Sequence, residues 1–241
     1  MSPTPPTIVL VHGAFAESSS WDAVINRLVD AGHPVIAVAN PLRSVASDAA
    51  ALADVVRAVD GPVVLAAHSY GGAVITGVPA DAGDIVGLVY ANGFAPEPGE
   101  SCFQLAGMFP GSELGEATIR LVPRSDGTTA LYIATDRFHD LFCPDVPAQQ
   151  AARMAATQRP ATQEALTEPS GEHSLWREVP SWFLIGEEDR IIPPELQHYM
   201  AKRAGAHRVT EIPGASHAAL VSHPDTTAHL ILEAAASRVA A

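Results

Sequence analysis

Residues 62–75 read Pro62-Val63-Val64-Leu65-Ala66-Ala67-His68-Ser69-Tyr70-Gly71-Gly72-Ala73-Val74-Ile75. An apolar run rich in β-branched residues gives way to a serine among small residues, and then to a helix-like stretch. A serine at such a junction sits on a tight strand-to-helix turn, with its hydroxyl projecting from the top of a sheet. Gly71 keeps the backbone clear where a side chain would collide. The first small position of the motif holds Ala67 in place of glycine, one added methyl at a close strand–helix contact. A bland Ser-Gly turn would also fit this segment taken alone, so the rest of the chain decides whether Ser69 is a nucleophile.

On the amino-terminal side, Thr7 to Val11 is a continuous apolar run, the mark of a strand buried on both faces of a parallel sheet. Ser19 or Ser20 is placed to cap a helix carrying Trp21, Val24, Ile25 and Leu28 on one face. Pro34 to Ala39 is the next strand. Leu52, Val55, Val56 and Val59 follow Ser47 at helical spacing, and Asp60-Gly61 ends that helix. Pro62 to Ala67 and Ile85 to Ala91 complete four strands. This βαβαβαβ order predicts an α/β fold, a mostly parallel doubly wound sheet whose function gathers at the strands' carboxyl ends.

The rhythm breaks from Gly93 to Pro180, where Ala148 to Thr157 and Thr162 to Thr167 read as helices. Phe103, Phe109, Leu131, Tyr132, Phe138, Leu141 and Phe142 in this stretch need burial. The segment 93–180 is therefore expected to be an inserted, mainly helical cap over a core made of 1–92 and 181–241. Core alternation resumes with a strand at Trp182 to Ile185, a helix from Pro194 to Ala204, a strand at Arg208 to Ile212 and a last helix from near Pro224.

The 241 residues are 47% hydrophobic and 17% charged, enough for a substantial core and unlike a disordered chain. A formal net charge of −13 argues against nucleic acid or an anionic membrane as a partner, since both require a basic face. Met1 to Pro6 shows no basic leader, and no apolar run reaches the roughly 18 residues a membrane span needs. A cytoplasmic protein is the expectation. Cys102 and Cys143 make neither a disulfide framework nor a metal site and are expected to be reduced, apolar packing residues. The sequence calls for no metal and no organic cofactor, and it leaves the oligomeric state open.

A serine hydroxyl needs a base within hydrogen-bonding reach and a group that orients that base. Of ten histidines, His217 is the best placed, after Gly214-Ala215-Ser216 on a loop that follows a strand. His12 belongs to the turn after the first strand and reads as structural, and the side chain of His68 should point away from the serine. Asp189 follows the strand at 182–185 through Gly186-Glu187-Glu188, and the Gly-x-x-Asp spacing can return its carboxylate toward the histidine. Glu187 and Glu188 compete for the role. Asn92 and Gly93 follow the fourth strand, so no carboxylate comes from there. Oxyanion donors are expected from the backbone N–H groups of Tyr70 and, in the His12-Gly13-Ala14-Phe15 loop, Ala14, with Phe15 as second choice. The Phe15 ring is a candidate wall of the substrate pocket. Phe103, Phe138, Phe142 and Trp176 are candidates too, with core packing the favoured role for each.

Taken together, the His-Gly-Ala-Phe loop, the Ser69 turn, Gly186-x-x-Asp189 and Gly214-Ala215-Ser216-His217 resemble the α/β-hydrolase superfamily across nearly the whole chain. The nearest branch holds small-molecule carboxylesterases, plant methylesterases and hydroxynitrile lyases, and Phe142-Cys143-Pro144-Asp145 is similar to that branch as well. The lyases of the branch typically carry a threonine where Gly13 stands and a lysine where Ala218 stands. A lyase of that type needs the lysine's charge to stabilise departing cyanide, so the resemblance favours ester hydrolysis here. The expectation is a serine hydrolase of small, fairly apolar carboxylic esters, lactones included, with Ser69, His217 and Asp189 in the catalytic roles. The alternatives are a cofactor-free lyase, perhydrolase or C–C hydrolase on the same scaffold, and a ligand receptor that keeps the pocket.

Overall fold

The first 91 residues alternate as β1 (Thr7–Val11), α1 (Asp22–Asp30), β2 (Val35–Val38), α2 (Val45–Arg57), β3 (Pro62–His68), α3 (Tyr70–Thr76) and β4 (Asp84–Ala91) in the computed structural model. It describes residues 5–237; residues 1–4 and 238–241, including the start of the stretch read above for a leader, lie outside the described residues. Between residues 92 and 180 come α4 (Cys102–Ala106), β5 (Ile119–Pro123), β6 (Thr129–Ile133), α5 (Thr135–Phe142), α6 (Ala148–Thr157), β7 (Ala161–Thr162) and α7 (Gln163–Thr167). The chain closes with β8 (Ser181–Gly186), α8 (Pro194–Arg203), β9 (Arg208–Ile212), α9 (Ala219–Ser222) and α10 (Pro224–Ala236). Among the described residues no helix is long and apolar enough to cross a membrane.

Six strands form one parallel sheet in the order β2-β1-β3-β4-β8-β9. The apolar runs are unbroken because both faces of the sheet are covered. Val9, Val11, Leu65, Ala67, Tyr90 and Phe183 point into one core with Leu52 and Val56 of α2 and Leu196 and Met200 of α8. Their neighbours Ile8, Leu10, Val64, Ala66, Val89, Trp182 and Leu184 point into the other, against Val24 and Leu28 of α1 and Leu230, Ile231 and Ala234 of α10. Each fully buried aliphatic side chain contributes about 1.5–3 kcal/mol relative to exposure. The register pairs Val11 with Ala67, Ala67 with Tyr90, Ala91 with Leu184 and Gly186 with Ile212. The loops that leave these strand ends therefore all start at one edge of the sheet.

Local chemistry moves some boundaries. Ser44, not Ser47, caps α2: its side chain accepts the Ser47 N–H. Ser18–Trp21 form a 3₁₀ turn, so α1 starts at Asp22 and neither Ser19 nor Ser20 caps it. The segment between β4 and β8 also holds a three-stranded antiparallel sheet, β5-β6-β7, besides the expected helices. Asp126-Gly127 makes the β5–β6 connection, with Gly127 at φ 85°, and an Asp-Gly pair is a hairpin signal. Phe138, Leu141 and Phe142 are buried as expected, but Phe103 is 68% exposed.

Candidate active site

Strain marks the turn after β3. Ser69 has φ 54° and ψ −125°, a conformation that costs a non-glycine residue about 1–3 kcal/mol and persists only where its surroundings over-determine it. Here they do. Ser69 N–H donates to the Asn92 carbonyl at 3.2 Å, and the Ser69 carbonyl accepts from Gly72 and Phe94 N–H at 2.9 and 3.1 Å. A Cβ at Gly71 would lie 2.7 Å from the Val11 carbonyl, and one at Gly72 would lie 2.3 Å from the Phe94 carbonyl. The small residues are thus a packing requirement.

The His12–Phe15 loop lies directly against the serine. A Cβ at Gly13 would fall 2.5 Å from Ser69 Cβ and 3.2 Å from Oγ. Gly13→Ala is accordingly expected to push the loop and the serine apart. A displacement of about 1 Å at a reacting group costs on the order of 10²-fold in rate, read as a fall in kcat at unchanged secondary structure.

His12 stiffens the loop from below. Its Nδ1–H donates to the Gly13 carbonyl at 2.9 Å, and Nε2 accepts the Asn40 N–H at 3.1 Å. That arrangement requires a neutral ring. Burial, with Arg159 adding, lowers its pKa from 6.5 to about 4. A histidine whose folded pKa is depressed leaves the unfolded chain with more protons between these two values, so stability falls as pH drops from 6.5 to about 4. The gap corresponds to about 3 kcal/mol at 1.36 kcal/mol per pH unit. Chemical denaturation between pH 7 and 4 should show this loss, and His12→Gln should flatten part of it.

Asp189 and His217 meet at the same sheet edge. His217 Nδ1 lies 2.9 Å from Asp189 Oδ2, with both side chains inaccessible to solvent. The carboxylate accepts five hydrogen bonds. Oδ1 takes the Ile191 and Ile192 N–H groups at 2.8 and 2.9 Å; Oδ2 takes Asn92 Nδ2 at 3.0 Å, Gln197 Nε2 at 2.9 Å and His217 Nδ1. Since a carboxylate only accepts, Nδ1 carries a proton, and in the neutral ring Nε2 is the nitrogen left to accept one. Nε2 is buried and, among the described residues, has no hydrogen-bond partner, Ser69 Oγ included. Asn92 and Gln197 were not legible as site residues: Asn92 matters as a donor to the acid, and Gln197 reaches it from the interior of α8.

His68 packs its ring 4.7 Å from that of His217. Its Nε2–H donates to the His217 carbonyl at 2.9 Å, and burial holds its pKa well below 6.5. Phe142 stands edge-on to the His217 ring at 5.0 Å. From the same segment, Asp145 Oδ2 accepts the Ser216 N–H at 3.1 Å and the Ser222 hydroxyl at 2.6 Å. The loop bearing His217 is therefore clipped to the chain between α5 and α6.

A cavity of about 310 Å³ opens over Ser69, lined by Ala14, Phe15, Tyr70, Phe94, Phe109 and Ile191 among others. It is mainly apolar. Tyr70 heads α3, so its N–H has no carbonyl one turn back to bond, while its hydroxyl donates to Asp48 Oδ2 at 2.9 Å. Phe15 N–H donates to the Arg159 carbonyl at 3.0 Å, which removes it as the second-choice anion donor. Of the aromatic candidates, Phe15 and Phe103 line this cavity, whereas Phe138, Phe142 and Trp176 are buried outside its lining. Cys102 and Cys143 are buried and unpaired.

A sequence model of the α/β-hydrolase family matches residues 8–230, and the chain belongs to that family. A pyrethroid hydrolase of Sphingobium wenxiniae is 27% identical over 251 residues, covering 94% of this chain and 86% of that protein. The crystal structure of polyneuridine aldehyde esterase superposes with a TM-score of 0.77 at 20% identity, over 95% of this chain and 98% of that one. A methylesterase from Arabidopsis does so with a TM-score of 0.74 at 16% identity, over 95% and 98%. The likeness to these two solved structures is one of fold.

Proposed function

We propose that the protein is a serine esterase that cleaves small, fairly apolar carboxylic esters through an acyl-enzyme. The observation that carries this reading is the buried Asp189–His217 pair, which holds Nδ1 against the carboxylate and leaves Nε2 without a partner at the sheet edge where the strained turn presents Ser69. In the first step Ser69 Oγ bonds to the ester carbonyl carbon as its proton passes to His217 Nε2. The carbonyl oxygen becomes an oxyanion held by the N–H groups of Ala14 and Tyr70. Collapse breaks the bond to the alcohol oxygen, which leaves with the proton from Nε2. Water repeats the sequence on the acyl-enzyme and releases the acid.

Ser69 and His217 are not hydrogen-bonded in the resting protein. Such contacts commonly close only when substrate is bound. The segment 93–180 acts as the cap, since Phe103, Phe109 and Leu166 from it line the cavity over Ser69. Ala218, fully buried, supplies no positive charge beside His217, which favours ester hydrolysis over cyanide release. A panel of p-nitrophenyl esters with a pre-steady-state burst tests the reading. Burst and turnover support it; ligand binding without turnover would point to a receptor.

A further inference from the structure

Behind the loop that carries Gly13 lies a second cavity of about 340 Å³, between the start of α1 and α6. Gln150, Arg153 and Met154 of α6 line it on one side, and Phe15, Glu17 and Ser20 on the other. Phe15 also lines the cavity over Ser69. One aromatic residue, 3% exposed, therefore borders two spaces of similar size.

Two further observations show that the main chain of Phe15 is held in place. Phe15 has φ 61°, a left-handed conformation that bulky residues avoid. Its N–H is bonded to the carbonyl of Arg159, two residues beyond the end of α6, whose side chains form the opposite wall. The backbone tie and the strain fix where the main chain of Phe15 sits between the two spaces. Strain retained beside a cavity is grounds for a functional hypothesis.

We propose that Phe15 is a specificity-determining partition. Its ring stops one arm of the ester at the catalytic cavity, and removing the ring joins the two spaces, so that longer esters on that side are accepted. The proposal rests on the esterase reading above. The second cavity mixes Arg153 with Glu17, Ser20 and Gln150, so the arm it would accept is a long chain ending in a neutral hydrogen-bonding group, such as a terminal hydroxyl.

The test measures kcat/KM for two series, p-nitrophenyl esters of lengthening acids, with and without a terminal hydroxyl, and acetate esters of lengthening alcohols. In Phe15→Ala the long-to-short ratio should rise about tenfold or more in one series, the hydroxyl-ended member gaining most, and stay flat in the other. Phe15→Gly, which makes the same opening and relieves the positive φ, should shift the ratio equally. In the Phe15→Ala background, Met154→Trp refills the second cavity and should return the ratio toward wild type. An unmoved ratio, or equal shifts in both series, overturns the partition. Should Phe15→Ala fail to fold, Phe15→Leu must give a smaller shift in the same direction, and no shift there overturns the proposal too. A wild-type protein that turns over no ester overturns the esterase reading and the partition with it. An active wild type with an unmoved ratio overturns the partition alone.

Discussion

Ser69→Ala is expected to lower kcat/KM for p-nitrophenyl acetate by about 10⁴-fold or more, the scale on which serine-histidine-acid sites lose activity when the nucleophile goes. The thermal midpoint should change little. Alanine carries the same strain at φ 54° as serine does, and the hydrogen bonds that hold the turn come from the backbone of residues 69, 72, 92 and 94. Ser69→Gly should be equally inactive yet more stable, by about 1 kcal/mol, because glycine adopts a positive φ without steric cost. His217→Ala should match Ser69→Ala in activity, and the double variant should be no worse than either, since the two groups act as one unit. A Ser69→Ala protein retaining more than a tenth of wild-type turnover would remove the serine from the mechanism.

The stretches that positioned Ser69, Asp189 and His217 were legible because each follows a strand whose apolar run is unmistakable. In a parallel sheet the strand ends determine where loops gather. Val11, His68, Gly186 and Ile212 end strands, and the chemistry-bearing residues come within five positions of them. What surrounds Asp189 was less legible. Asn92 was read for the charge it lacks, but its amide bridges Asp189 and the Ser216 carbonyl, a role that exists only once β4 lies beside β8. Gln197 sits inside a helix, where its polarity resembles that of any solvent-facing position, yet it is 1% exposed.

Hairpin β5–β6 was missed for a different reason. Arg120 to Pro123 are exposed, so the strand shows no alternation of apolar and polar residues, and only Asp126-Gly127 betrays the turn. Phe103 misled in the opposite direction. An aromatic side chain in an apolar stretch reads as core, whereas this one lines the cavity over Ser69 and is 68% exposed.

The second large effect falls on the carboxylate. All five groups around Asp189 are donors in the resting arrangement: two backbone N–H groups at Oδ1, and two amides with an imidazole N–H at Oδ2. Asp189→Asn puts an NH₂ where one of those oxygens stood. Facing Ile191 and Ile192 it would meet two N–H groups that cannot turn away. Facing His217 it would meet an N–H that can be exchanged, because the imidazole can shift its proton from Nδ1 to Nε2. The second arrangement is therefore the cheaper one, and it destroys the base: a protonated Nε2 cannot take the serine proton. Activity should drop by about 10⁴-fold, as when the orienting acid of such a site becomes an amide. Stability should fall as well, by about 1–3 kcal/mol for each buried donor left unpaired. Flipping the Asn92 or Gln197 amide gives no full relief, because their NH₂ groups also donate to the Ser216 and Ile192 carbonyls, so one or two donors set the size of the drop in a denaturant titration. Glu187→Gln and Glu188→Gln serve as controls, for both side chains are exposed and neither should move kcat by more than about twofold. An Asp189→Asn protein within tenfold of wild type, with either control inactive instead, would transfer the orienting role to the neighbouring glutamate.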